Sequence, residues 1–270
     1  MSLQARIEGI GFWNQGLPDW AQARGLARGE TTATQTPARP APRLLAPNER
    51  RRVPDSVAVA LEVALAACEA AGRDPSSLPS VFASTHGDLA ITDYMCRTLA
   101  TEPQAMSPTR FHNSEHNAAA GYWTIGAGAL APATAISAYR ASFAQGLIEA
   151  LAQLADGCEA VLLVGYDAGG AGPLGEMAQS EGLLGAALVL AREDADSGDA
   201  GDRRRDGLPL LRARWQAGDV PAGQGALARS GAANIMAPML PLFDALACGL
   251  DGALVHAGPG QHLALSLEWP

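Results

Sequence analysis

PATAISAYRASFAQGLIEALAQLADGCEAVLLVGYD, Pro132 to Asp167, decides the fold. Ala133 to Ala138 is short, mostly apolar and bounded by Pro132, the pattern of a buried strand. From Ala141 to Ala155, Phe143, Leu147, Ile148, Leu151 and Leu154 recur at helical spacing without an internal Pro, so this stretch predicts a helix ended by Gly157. Ala160 to Tyr166 (AVLLVGY) is a continuous apolar run, as in a central parallel strand buried on both faces. The three together predict a βαβ unit with a right-handed crossover.

A residue between such a strand and helix lies near free N–H groups and the positive end of the helix dipole, a place suited to an anionic nucleophile such as a thiolate. Arg140 stands there instead. Its guanidinium keeps its proton near neutral pH, so it is neither nucleophile nor general base. From this unit alone, Tyr139 and Arg140 read more readily as ordinary turn residues.

The flanking sequence adds to this. Met106 to Gly169, opening on Ser107 and Pro108 and running through Asn117, Gly121, Thr124, Ile125, Gly128 and Pro132, resembles the nucleophile region of the β-ketoacyl-acyl carrier protein synthases, within the thiolase-like superfamily. Arg140 falls where that family has its acyl-accepting Cys. VFASTHGDLAITDY, Val81 to Tyr94, resembles the strand and glycine loop leading into the helix beside the acyl channel. LLAPNERRRVPDS, Leu44 to Ser56, is similar to short ketosynthase-like proteins described as chain length factors of aryl polyene and xanthomonadin-type pathways. The resemblance implies an α/β, thiolase-like fold: a nearly complete N-terminal half over 1–193, a mobile loop over 194–207, and a reduced C-terminal part over 208–270 on the same core. It leaves little room for the second-half His loops that drive condensation in catalytic members.

Composition fits that expectation. In 270 residues, 48% hydrophobic and 17% charged, the chain can bury one sizeable core. A net charge of -9 argues against a general nucleic-acid or anionic-membrane surface, since both reward clustered cations. No run approaches the ~18 apolar residues of a span, and Arg6 and Glu8 interrupt any leader-like run. Cys68, Cys96, Cys158 and Cys248 lack CxxC spacing and read as reduced, which suits the cytoplasm.

Elsewhere, Ala5–Trp13, Ser80–Ser84, Gly185–Ala191, Leu210–Trp215 and His262–Leu267 predict strands. Asp55 or Ser56 is expected to cap a helix over 57–71 closed by Gly72, and Asn234 a helix carrying Met239, Leu240, Phe243 and Leu246 before Gly249. Ser114, Glu115, His116 and Ser142 have the residue types of a hydrolytic triad, but adjacency in sequence usually points side chains apart. His86 and His112 read as loop histidines, and His256 and His262 lack any metal-ligand spacing. The glycines near Asp167 form no phosphate-loop motif. No metal and no cofactor are expected.

The functional expectation is a noncatalytic ketosynthase-like subunit of chain length factor type. It would pair with a catalytic β-ketoacyl synthase or with itself and meet an acyl carrier protein. Thr92, Arg110, Phe111, Tyr139 and Arg140 are expected at the acyl channel or interface, with Glu115 a candidate partner for a buried Arg140. Arg50, Arg51 and Arg52 are expected as a solvated face or as a docking point for an acidic carrier or partner. The alternatives are an acyltransferase or thioesterase using Ser142 or Cys96, and a homodimeric scaffold.

Overall fold

The computed structural model describes residues 3–193 and 207–270; the segment read as a mobile loop lies outside them except for Gly207. In chain order the elements are β1 (Leu3–Asn14), α1 (Trp20–Ala27), α2 (Pro47–Arg50), α3 (Asp55–Ala71), β2 (Ser80–Ala83), α4 (Leu89–Thr101), α5 (Pro108–Asn113), α6 (Ala118–Ala127) and β3 (Ala133–Ile136). There follow α7 (Ser142–Ala155), β4 (Ala160–Asp167), α8 (Gly172–Ala178), β5 (Leu184–Ala191), β6 (Leu210–Ala217), α9 (Ala226–Ser230), α10 (Leu240–Cys248), β7 (Gly252–Gly258) and β8 (Gln261–Glu268).

The strands form one sheet of eight in the order β3-β2-β4-β5-β1-β6-β8-β7. Only β2 runs parallel to its neighbours β3 and β4; every other pairing is antiparallel. The β3–α7–β4 unit is present, but β2 lies between its two strands, so the crossover skips a position. Every residue of β4 and β5 is buried, which their unbroken apolar runs require. β6 pairs with the first residues of β1, so the C-terminal strands extend the sheet laid down by the N-terminal ones. β7 is a strand that no sequence pattern above indicated.

Each face of the sheet has its own core. α7 and α10 cover one, through Phe143, Leu147 and Leu151 and through Leu242, Phe243 and Leu246. α3 and α6 cover the other, where Phe82, Trp123 and Tyr166 meet with ring centroids 6.3 Å apart. α3 lies so close to β1 that a Cβ at Gly11 would fall 2.0 Å from the Val63 carbonyl oxygen, and one at Gly9 2.2 Å from that of Ala67. A register shift between Ile7 and Gly9 sets off Glu8, whose buried carboxylate receives Arg73 Nε at 2.7 Å from the loop after α3.

Two caps differ from the sequence expectation. Asp55 pairs with Arg39 at 3.0 Å and Ser56 donates to Asp88 at 2.9 Å, so Pro54 holds the N-cap of α3 without a side-chain bond; both hydrophilic groups find tertiary partners instead. Asn234 lies ahead of α10, reaching the carbonyls of Glu181 and Gly182 and accepting from Met236 N–H, while a short 3-10 turn at Ala237–Met239 leads into the helix. Gly72 and Gly249 close α3 and α10 at φ 64° and 68°, as read.

Candidate functional site

The turn between β3 and α7 is built from short side chains bonding backbone. Tyr139 takes φ 52°, a left-handed conformation that costs a non-glycine residue free energy and marks the apex one residue before Arg140. Ser142, fully buried, accepts from Ala138 N–H at 2.9 Å and donates to the Tyr139 carbonyl at 2.6 Å. Its hydroxyl is thus a clamp on the turn. Thr85 donates to the same carbonyl at 3.2 Å, and Ser137 donates to the Thr85 carbonyl at 2.8 Å, tying the turn to the loop after β2.

That loop is held in turn by Asp167 at the end of β4. Its buried carboxylate accepts from Ser84 Oγ at 2.7 Å and Thr85 N–H at 2.9 Å. Burial pushes the Asp167 carboxyl up to about 6, opposed by the hydrogen bonds from Thr85 and Ser84. Asp88 closes the loop by capping α4, accepting from Ile91 N–H at 3.1 Å. His116 places Nε2 2.9 Å from the Ser84 carbonyl oxygen, and burial, then the nearby His116, hold His86 below the usual imidazole range. Nothing in the sequence marked Asp167 as an anchor; an acid closing a buried strand was the available signal.

Arg140 is exposed and lines a cleft of about 220 Å³ between the turn and the C-terminal part, which His256 of β7 also lines. It makes no hydrogen bond or ion pair within the described residues, and Glu115, exposed on the surface, is not its partner. The expected pairing fails because the guanidinium stays in contact with water and needs no buried counter-charge. Burial, then the positive Arg140, hold His256 below the ordinary imidazole range, with Asp219 acting the other way. Sequence spacing gave no reason to join His256 to Arg140.

The other predicted residues lie apart from this cleft. Tyr139 is 53% exposed beside the His86 ring, with centroids 6.2 Å apart, and Phe111 is 57% exposed on α5. Arg110 stacks on Tyr94, 3.9 Å from the ring centroid, and borders a separate cleft of about 780 Å³ together with Arg52, Asp55, Asp88 and the Ala168–Ala171 loop. Thr92 donates to the Asp88 carbonyl and flanks a small hollow with Cys96 and Leu174. The three arginines diverge: Arg50 turns back onto the Leu45 carbonyl, Arg51 meets Asn48, and Arg52 faces the large cleft. Ser114 donates to the Phe111 carbonyl, so Ser114, Glu115 and His116 form no triad. Among the described residues no group of three or more His, Cys, Asp or Glu is placed to hold a metal ion.

Residues 19–200 match the family described as β-ketoacyl synthase, N-terminal domain. The chain belongs to that family. Its thiolase-like fold recurs in solved structures. A chain of the complex described as ketosynthase (ApeO) with its chain length factor (ApeC) from Xenorhabdus doucetiae superimposes with a TM-score of 0.74 at 20% identity, covering 97% of this chain and 99% of that one. A chain of the ishigamide ketosynthase/chain length factor gives 0.71 at 16% identity, with 98% and 99% covered. A ketosynthase from module 6 of the bacillaene synthase of Bacillus subtilis 168 gives 0.57 at 14% identity, covering 82% of this chain but only 42% of that one. No curated protein matches the sequence.

Proposed function

We propose that this chain is a noncatalytic ketosynthase-like subunit of chain length factor type, which pairs with a catalytic β-ketoacyl synthase in polyketide, polyene or fatty-acid-like biosynthesis. The observation that carries the reading is Arg140, placed directly after the left-handed Tyr139 at the elbow and unable to act as an acyl acceptor. The structural matches support it. Two chains matched almost end to end belong to complexes described as containing a chain length factor, and a third to a type II PKS ketosynthase complex with its acyl-carrier protein, whereas the bacillaene ketosynthase is matched over less than half its length. On this reading residues 1–193 are the N-terminal half and 208–270 a reduced C-terminal part.

β3 is a sheet edge with one side unpaired, and Ile125, Leu130 and Tyr139, before and after it in sequence, are large apolar side chains left exposed. A sheet edge flanked by exposed apolar groups is a surface that association would cover. In the pairing we propose, Phe111 and Tyr139 limit the depth available to a growing acyl chain, Thr92 and Arg110 border its path, and Arg52 faces an acidic carrier protein. Condensation belongs to the partner. No helix among the described residues is long and apolar enough to cross a membrane. The free cysteines support our proposal that the complex is cytoplasmic.

The alternative of an acyltransferase or thioesterase finds less support, because Ser142 is committed to the turn and Cys96 lies in a hollow lined by Thr92, Asp93, Ala171, Pro173 and Leu174. Coexpression with an adjacent full-length ketosynthase tests the proposal. Copurification, and a change of product length on Phe111→Ala or Tyr139→Ala, are expected. Copurification with unchanged products would reduce the chain to a scaffold, and failure to form any complex would refute both roles.

A further inference from the structure

We propose that the polar cleft bounded by the end of β1, the loop before β5 and the segment after α9 binds a sugar ring through its hydroxyls, with Asn14 at the floor. This cleft shares no lining residue with the one at the elbow and lies on this chain alone, so the inference does not depend on the pairing proposed above.

Its walls are fixed by bonds that leave the lining side chains free. Asn14 and Leu17 exchange backbone bonds of 2.9 and 2.8 Å. Glu181 N–H donates to the Ala233 carbonyl at 2.9 Å, and the Asn234 amide donates at 3.3 Å to the carbonyls of both Glu181 and Gly182. The enclosed volume is about 340 Å³, near the ~300 Å³ lower end of small-ligand sites, which suits a single ring. Asn14 is only 8% exposed, yet its carboxamide has no hydrogen-bond partner among the described residues and is not sealed from the cleft. Gln15, Glu181 and Ser230 bring a second carboxamide, a carboxylate and a hydroxyl to the rim, all exposed and equally without a side-chain partner among the described residues.

The donor and acceptor inventory selects the ligand class. No cation lines the cleft among the described residues, and the Glu181 carboxylate repels an anion. Gln15 and Gly182 also border the larger cleft, but its cations, Arg52 and Arg110, do not line this one. An ammonium group only donates, so it would satisfy Glu181 and leave the amide N–H groups of Asn14 and Gln15 unmet. An apolar ligand would strip water from all four side chains and return no hydrogen bond. A hydroxyl donates one bond and accepts others, and a ring carrying several of them answers a carboxylate, two carboxamides and a serine at once. The sugar is either free or the terminal residue of a glycoconjugate; both present the same hydroxyls to Asn14.

Titration of the full, 15N-labelled chain with D-glucose, D-galactose and D-mannose, followed by NMR of the Asn14 side-chain amide, tests the site. At least one hexose is expected to saturate and to shift that amide, while cyclohexanol, methylammonium and acetate bind at least about tenfold more weakly, the discrimination that loss of one or two net hydrogen bonds supplies. Asn14→Leu is expected to weaken the hexose by about tenfold, read from the remaining shifts. Ser230→Tyr, at an exposed position, is expected to abolish binding by filling the cleft with the fold intact by circular dichroism, which keeps the test decisive should the change at buried Asn14 unfold the chain. The methyl glycoside of the bound hexose then separates the sources: retained binding assigns the site to a conjugated sugar, and lost binding to a free one. Absence of saturation by all three hexoses, equal binding of cyclohexanol, methylammonium or acetate, or undiminished binding in Ser230→Tyr would overturn the proposal.

Discussion

Replacing Asp167 by Asn should remove a pH-dependent part of this protein's stability, in a direction set by a competition inside one buried site. Two effects oppose each other at the carboxylate: burial favours the neutral acid, and donation from Ser84 and Thr85 favours the anion. Burial wins, raising the carboxyl from 3.8 to about 6. Between those two values the folded state holds a proton that the unfolded chain has released, so stability rises as pH falls through about 6 and is lost again as pH rises. The full window is worth about 3 kcal/mol at ~1.4 kcal/mol per pH unit. From pH 7.5 to 4.5, linkage gives about 2 kcal/mol of that. Asn titrates nowhere in this range, and Glu62 and Asp244, whose carboxyls burial also raises, titrate alike in both proteins and cancel in the comparison. Urea unfolding of wild type and Asp167→Asn at pH 4.5, 6 and 7.5 measures the difference directly. The mutant should be less stable throughout, because an amide cannot accept on both oxygens, and the gap should widen toward pH 4.5. A gap that is flat, or widest at pH 7.5, would show that the hydrogen bonds outweigh burial and would refute the reasoning.

Gly11→Ala should cost about 3 kcal/mol, the upper end for overpacking, because its Cβ meets the Val63 carbonyl backbone and α3 must lift from β1; a loss under about 1 kcal/mol in urea unfolding would contradict that. Arg73→Leu should cost about 3 kcal/mol or more by taking the guanidinium from buried Glu8, measured the same way. At the elbow, Tyr139→Gly should leave stability within about 1 kcal/mol of wild type, whereas Tyr139→Val should lose more than that, since β-branching is poorly compatible with φ 52°; comparable thermal midpoints for the two would remove the claim of backbone strain.

The chain's local chemistry was open to reading in one dimension wherever a single segment decides the outcome. Spacing of Phe143, Leu147 and Leu151 determined α7, the unbroken run at Ala160–Tyr166 determined a strand buried on both faces, and Gly72 and Gly249 determined where two helices stop. Arg140 excluded a nucleophile by its functional group alone. Pairing and convergence belonged to the tertiary structure. β2 separates β3 from β4, and β7, with Gly at both ends and little apolar periodicity, exists as a strand through its pairing with β8. Asp55 and Ser56 were good caps by type, yet Arg39 and Asp88, distant in sequence, claimed them first. His256 reaches the elbow because β6 continues the sheet from β1 and carries the C-terminal strands around to Arg140, a contact across more than a hundred residues that no local pattern encodes. The sequence by itself determined what Arg140 cannot do; the fold decided what stands beside it.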